Sequence, residues 1–473
     1  MATLSSQANP PQKSKPDLAA SQTAPESPEP VCAPPTLSDQ LPAPDPGSDS
    51  LVDGETSFFG LIPFEDDHQA IDRSVQDILF AARRQTEDLS INDRKAVFTE
   101  LGRLSYAETK KITAFQMEVD ASIWRIDKAG CLDDIAAAHA RLNDIVLTHF
   151  QETLIVSDLQ AICTSYRDFI TAKIIDLVEA EMRTGFGYMP CDFAWIGTGS
   201  EGRGEQTLLT DQDNLVVYQE DSGHADEYFA AFSEKVVDYL ERVGFNRCTG
   251  AIMASNPKWR GSLLGWRHRM SDLMLRAFQD NRALLDLIIL LDSRFIGGHR
   301  TLAEEFIDEM LANFDDRPGL AREMARSAMA SPVALGMFHR FRTEGSGPHK
   351  NKMNIKMGGW APLILTVRVF ALLDKIRDVN TVKKIKMLAK SGRLSSDMSR
   401  RLQESFYILT KHKLLQQIDM IKAGKHKAYF DEHDHFVDPT QLDKESAEKL
   451  KQALRNVQKL QDQIVTTFHL QSI

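Results

Sequence analysis

The sequence predicts an α+β protein, mostly helical, in which one small mixed sheet is flanked by N-terminal helices and followed by a C-terminal helical bundle. Three observations predict it. Apolar residues recur near helical spacing from Asp67 to Arg84 and again from Ile162 to Val178. Two short apolar runs, Phe193-Ala-Trp-Ile196 and Asn214-Leu-Val-Val-Tyr218, bracket a glycine-rich stretch as strands bracket a loop. Near the end, Leu450, Leu454, Val457, Leu460, Ile464 and Phe468 share one helical face, with charged residues on the other.

Taken in order, residues 1–55 form a disordered, acidic, Pro/Ser-rich tail. They hold eleven of the 19 prolines, and such a segment cannot bury enough surface to fold alone. It is either a solvated leader or a partner-binding arm. Residues 56–187 form an N-terminal helical region. Its first helix carries Ile71, Val75, Ile78, Leu79 and Ala82 on one stripe. Ser105-Tyr-Ala-Glu108 has the form of a capping box that opens another helix. Residues 126–187 predict two long helices, the second capped by Ser157-Asp-Leu-Gln160. Ile162, Phe169, Ile170, Ile174, Ile175, Leu177 and Val178 give that helix a wide apolar stripe for packing against the sheet. Residues 188–305 hold both strands and make a compact α/β unit, and residues 306–473 read as helical throughout. Within the last region, Gly345-Ser-Gly-Pro-His-Lys-Asn-Lys352 is a basic loop, suited to phosphates or an acidic protein, or simply solvated.

Composition narrows the function classes. A length of 473 residues suits two to four domains, and 42% hydrophobic residues support a real core. The net charge is −11, but the tail, with eight Asp and Glu against two Lys, carries −6 of it. The remainder is mildly acidic and does not offer a broad nucleic-acid surface. The five cysteines, Cys32, Cys131, Cys163, Cys191 and Cys248, form no C-x-x-C, which fits idle thiols in a cytoplasmic protein. There is no N-terminal apolar signal segment, and runs such as Leu287-Ile-Ile-Leu-Leu291 are too short to span a bilayer, so no membrane is expected. His433-x-His435 lies in an acidic turn and is expected at the surface.

The chemistry concentrates in Gly197-Thr-Gly-Ser-Glu-Gly-Arg-Gly-Glu-Gln-Thr-Leu-Leu-Thr-Asp-Gln-Asp-Asn214. Glycines after a strand permit a tight turn and close approach of backbone amides to a ligand, an arrangement that attracts phosphate. Asp211 and Asp213 are spaced so that both point to one side of a strand while Gln212 faces away. Carboxylates so paired hold hard divalent cations that also accept phosphate oxygens. No Gly-x-x-x-x-Gly-Lys-Ser/Thr segment is present, so this is not a P-loop. Trp259 and Trp266 either line a base pocket or pack in the core.

Gly199-Ser-Glu-Gly-Arg-Gly-Glu-Gln-Thr-Leu-Leu-Thr-Asp-Gln-Asp-Asn214 resembles the signature of the DNA polymerase β-type nucleotidyltransferase superfamily. It is more closely similar to the bacterial nucleotidyltransferases related to protein-PII uridylyltransferase. The resemblance runs from about residue 125 to the end and includes Met253-Ala-Ser-Asn-Pro-Lys-Trp259, Leu291-Asp-Ser-Arg-Phe-Ile-Gly297 and His349-Lys-Asn-Lys352. It implies a catalytic domain over residues 188–305 and a substrate-binding-type helical domain over 306–473. It also implies a third metal carboxylate, for which Asp292, at the end of an apolar run, is the candidate and Asp286 a rival. Gly199, Ser200, Arg203, Lys258 and Arg294 are then candidates for holding the nucleotide's phosphates, with a structural salt bridge the other role open to Arg294. The implied cofactor is Mg²⁺ or Mn²⁺. The implied reaction is transfer of a nucleoside monophosphate, UMP or AMP, from a nucleoside triphosphate to a protein or small-molecule hydroxyl in signal transduction. Relatives often carry cyclic-nucleotide-binding and CBS modules in front, and residues 56–125 lack that strand-rich pattern. A silent nucleotide-binding regulator or scaffold is the alternative reading, and an antitoxin-like partner to a nuclease a weaker one.

Overall fold

Four helices lead into a sheet, and a second set of helices closes over it. The computed structural model describes residues 68–470, apart from Thr210, Asp316 and residues 425–432. The predicted tail lies outside the described residues.

The leading helices are α1 (His68–Gln85), α2 (Ile91–Lys128), α3 (Leu132–Thr153) and α4 (Val156–Gly185). The sequence placed a helix start at Ser105, but α2 is already continuous there. Its cap is Ser90, whose Oγ accepts the Asp93 backbone N–H. Nor does Ser157 cap α4. The N-cap is Ile155, and the Gln160 amide instead donates to the Glu205 carbonyl at 3.1 Å.

The main sheet has strands β1 (Phe193–Gly197), β3 (Asn214–Tyr218), β5 (Arg260–Ser262) and β6 (Arg294–Gly298), ordered β5-β3-β1-β6. β1 is antiparallel to β3 and β6, and β3 is parallel to β5, so the sheet is mixed as expected. Two further strands, β2 (Asp211–Gln212) and β4 (Asn246–Arg247), pair in parallel beside it.

Side chains alternate across the sheet, and each face has its own core. Phe193, Trp195, Val216 and Tyr218 pack with α4 and with α5 (Gly223–Arg242), through Ile174, Ile175, Phe229 and Phe232. Ala194, Ile196, Leu215 and Val217 face α6 (Leu263–Arg276), α7 (Asn281–Leu290) and α8 (Arg300–Asp315). That second core continues into α9 (Pro318–Met329), α10 (Ala361–Leu373), α11 (Thr381–Lys390), α12 (Ser396–Lys422) and α13 (Lys444–Phe468). The α13 stripe read from the sequence is buried from Leu450 to Ile464. A short antiparallel pair, β7 (Met353–Asn354) with β8 (Phe436–Val437), interrupts the helices.

Two further expectations are corrected. The stretch Lys356–Leu373 is long and apolar enough to cross a bilayer, but 61% of it is buried, and it forms the core helix α10 with the turn before it. His435 is buried rather than at the surface, with Nδ1 3.1 Å from Asp434 Oδ1, while His433 Nδ1 lies 2.7 Å from Nε2 of His349, whose ring stacks on Phe436. Cys163, Cys191 and Cys248 are free thiols.

Candidate active site

The turn after β1 is built around two glycines that cannot be replaced without moving something. Gly199 adopts a positive φ of 54°, and a Cβ there would stand 3.1 Å from Asp213 Cγ and closer still to its Oδ2. A Cβ on Gly202 would enter the backbone carbonyl of Asp292, 3.0 Å from its carbon. Between them runs a single helical turn, Gly199–Gly202. It is closed by Gly202 N–H to Thr198 O at 2.7 Å and Glu205 N–H to Ser200 O at 2.9 Å. Thr198 N–H donates to Asp213 O at 2.7 Å, which fastens the turn to the carboxylate segment.

Asp211 lies in β2, and Asp213 in the link between β2 and β3. Asp211 and Asp213 offer oxygens on one side, while Gln212 is buried on the other, its amide donating to Val237 O at 3.2 Å. A third donor joins them from the residue after β4: oxygen atoms of Asp211 and Asp213 and the Cys248 sulfur all lie within 4.8 Å of one another. Burial, with the charges of Asp213 and Asp211, pushes the Cys248 thiol well up. Glu201 stands behind the pair and accepts the Asp213 backbone N–H at 3.2 Å. Burial first, then the charges of Asp168 and Asp213, pushes its carboxyl up to about 8.

The expected third carboxylate is elsewhere. The apolar run before Asp292 is helix α7, not a strand, and Asp292 is 1% exposed in the turn that follows it. Its Oδ2 accepts from Arg203 Nη1 at 2.5 Å and from Arg368 Nη2 at 2.5 Å, and its Oδ1 from Arg368 Nε at 3.2 Å. Burial alone would raise this carboxyl, but Arg368 and Arg203 outweigh it and hold it below the usual carboxylate range. Asp292 thus neutralises buried arginines, and among the described residues it is not one of the donors gathered with Asp211 and Asp213.

The predicted phosphate-binding cations are similarly engaged. Arg203 is buried, donates to Glu205 at 2.7 Å as well as to Asp292, and lies over the Trp360 ring. Arg294 forks onto Asp168 of α4 at 2.6 and 3.0 Å, and also donates to the Glu201 and Gly202 carbonyls at 2.8 and 3.1 Å. It is the salt bridge that holds the turn against α4. Lys258 pairs with Asp286 at 2.7 Å. Trp259 and Trp266 are core residues, and the Trp266 indole N–H donates to Val216 O at 3.0 Å.

Clamping groups from the C-terminal helices were not foreseen. Arg368 comes from α10, Lys384 from α11, and the Thr381 N–H donates to Glu205 Oε1 at 2.6 Å. Burial pushes Lys384 down to about 8 despite the attraction of Asp292. No local sequence signal marks these residues, because each acts through a contact made across the fold.

Comparison with known families fits this arrangement. Residues 140–280 match the family described as "putative nucleotidyltransferase DUF294", and residues 318–468 match its companion, described as "putative nucleotidyltransferase substrate binding domain". The chain belongs to this nucleotidyltransferase family. The first match takes in the turn, both aspartates and Cys248, and the second takes in Arg368 and Lys384. A comparison with curated proteins finds no match. The first matched region thus contains the glycine turn and, beside it, the paired carboxylates. The donor set suits a divalent cation, with two oxygens' worth of negative charge brought together by adjacent β-segments.

Proposed function

We propose that this nucleotidyltransferase moves a nucleoside monophosphate from a nucleoside triphosphate to a hydroxyl and releases pyrophosphate. The observation that carries the reading is the contact between Gly199 and Asp213. Only a residue without a Cβ lets the turn lie directly on the paired carboxylates, so phosphates bound along the turn would meet whatever cation those carboxylates hold. Asp211 and Asp213 would hold Mg²⁺ or Mn²⁺, which when bound neutralises phosphate charge and polarises the α-phosphorus. The turn amides and the Ser200 hydroxyl position the triphosphate. Arg294 and Asp168 keep the turn in place, and Glu201 braces Asp213 through its backbone N–H. In the displacement, the acceptor hydroxyl passes its proton to solvent, its oxygen bonds to the α-phosphorus, the bond from that phosphorus to the bridging oxygen breaks, and pyrophosphate leaves with that electron pair. Most of the acceleration is positioning and charge stabilisation.

We assign UMP as the first candidate group, with AMP next, and a protein or small-molecule acceptor in cytoplasmic signalling. A silent nucleotide-binding scaffold is the competing reading, favoured by the engagement of Arg203, Lys258 and Arg294 in ion pairs. The test is incubation of the purified chain with each nucleoside triphosphate radiolabelled at the α-phosphate, with Mg²⁺ or Mn²⁺ and a cell extract. Asp211→Asn/Asp213→Asn serves as the control. Label transferred from one nucleotide and lost in the variant supports the enzyme. Nucleotide binding with no transfer from any of the four supports the scaffold.

A further inference from the structure

Asp292, the residue expected to complete the metal site, is committed to two arginines. The donor that does reach the paired aspartates is a sulfur. β2 and β4 run parallel with Asp211 opposite Asn246 and Gln212 opposite Arg247, and the next residues in that register are Asp213 and Cys248. The pairing therefore sets the thiol level with the second carboxylate, and the three donor atoms close to within 4.8 Å.

We propose that Cys248 is the third protein ligand of the cation held by Asp211 and Asp213, and that the site therefore selects a borderline divalent cation over Mg²⁺. This rests on the metal-dependent reading above and deepens it. Mg²⁺ demands oxygen ligands in near-ideal octahedral geometry, and a thiolate serves it poorly. Mn²⁺, Co²⁺ and Zn²⁺ accept mixed oxygen and sulfur donors with rising affinity along that series. On binding, the Cys248 S–H bond is exchanged for a sulfur–metal bond and the proton passes to buffer, with no change of oxidation state. Three anionic protein donors leave the remaining coordination positions for phosphate oxygens.

The test uses the metal-free full-length chain titrated with Co²⁺, with binding followed by calorimetry and by near-ultraviolet absorption. A sulfur-to-cobalt charge-transfer band is expected in the wild type and in Cys191→Ser, which removes a different free thiol. Cys248→Ser should lose the band and weaken Co²⁺ binding by about tenfold or more. Asp211→Asn/Asp213→Asn should lose both. Mn²⁺ should displace Co²⁺ at lower concentration than Mg²⁺ does. Carboxylate-dependent Co²⁺ binding with no band overturns the sulfur ligand and leaves the functional reading standing. Failure to bind Co²⁺ at all overturns both. Should Cys248→Ser not fold, alkylation of Cys248 in the wild type decides the matter: bound Co²⁺ should protect it, and equal alkylation with and without Co²⁺ overturns the proposal.

Discussion

Replacing Asp292 with Asn separates a metal ligand from a structural counter-ion. The buried cluster sets the cations Arg203, Arg368 and Lys384 against the carboxylates of Asp292 and Glu205. Asn preserves the shape but removes one of the two negative charges and turns an N–H donor toward guanidinium donors. Breaking a buried ion pair from one side costs about 3–5 kcal/mol. Lys384, already pushed down to about 8, is the cation that can shed its proton to limit the loss. The expected result is therefore a fall in folding free energy of about 3 kcal/mol near pH 7, rising toward about 5 kcal/mol at lower pH where Lys384 stays charged. Urea denaturation at two pH values measures it, and Co²⁺ calorimetry on the folded variant should give wild-type affinity. A variant that is as stable as the wild type but has lost Co²⁺ binding would refute the assignment of Asp292 to the clamp.

Three further outcomes are expected. Gly199→Ala must hold a left-handed φ at a cost of about 1–2 kcal/mol and must displace Asp213, so Co²⁺ affinity and nucleotidyl transfer should fall while circular dichroism keeps its native shape. Trp266→Phe leaves the buried Val216 carbonyl without its indole donor and should cost about 1–3 kcal/mol, with the affinity for a fluorescent nucleotide analogue unchanged; loss of that affinity would return Trp266 to the nucleotide pocket. Burial and the Lys411 charge push His412 down to about 4 from its ordinary 6.5. The fold thus favours the neutral ring, and the stability this contributes is complete above pH 6.5 and is lost as pH falls toward 4, by up to about 1.4 kcal/mol per pH unit. His412→Gln should flatten that part of the urea-midpoint profile.

What could be read from the sequence was local. The pairing of Asp211 with Asp213, and the opposite facing of Gln212, follow from their alternate spacing, and the α13 face follows from helical periodicity. Both patterns repeat within a few residues and are sharpened by one-sided burial. The run Leu284-Leu-Asp-Leu-Ile-Ile-Leu-Leu291 defeated that approach because it is buried on most sides, and continuous burial erases the difference between a helix and a strand. The serine at position 105 had the spacing of a capping box, yet Ser90, also followed by an acid at the third position, lay earlier and took the role. Cys248 was passed over for a different reason. Its relation to Asp213 exists only because β2 and β4 pair in parallel across the length of α5, and nothing in a single sequence encodes which distant strands will meet.

The clamp on the signature turn also bears on how this gene can be divided. Arg203, Glu205 and Asp292 belong to the first matched region or the segment just after it, while Arg368, Asn380, Thr381 and Lys384 belong to the second. A fragment cut near residue 305 would present an arginine and two carboxylates shorn of the helices that enclose them, together with the apolar faces of α6 and α7. Expression of the first half alone should thus yield insoluble chain and not a minimal enzyme. Exchange of the second half between relatives should succeed only where Arg368, Thr381 and Lys384 travel together with compatible loop residues. Through this clamp the stability of each half depends on the other.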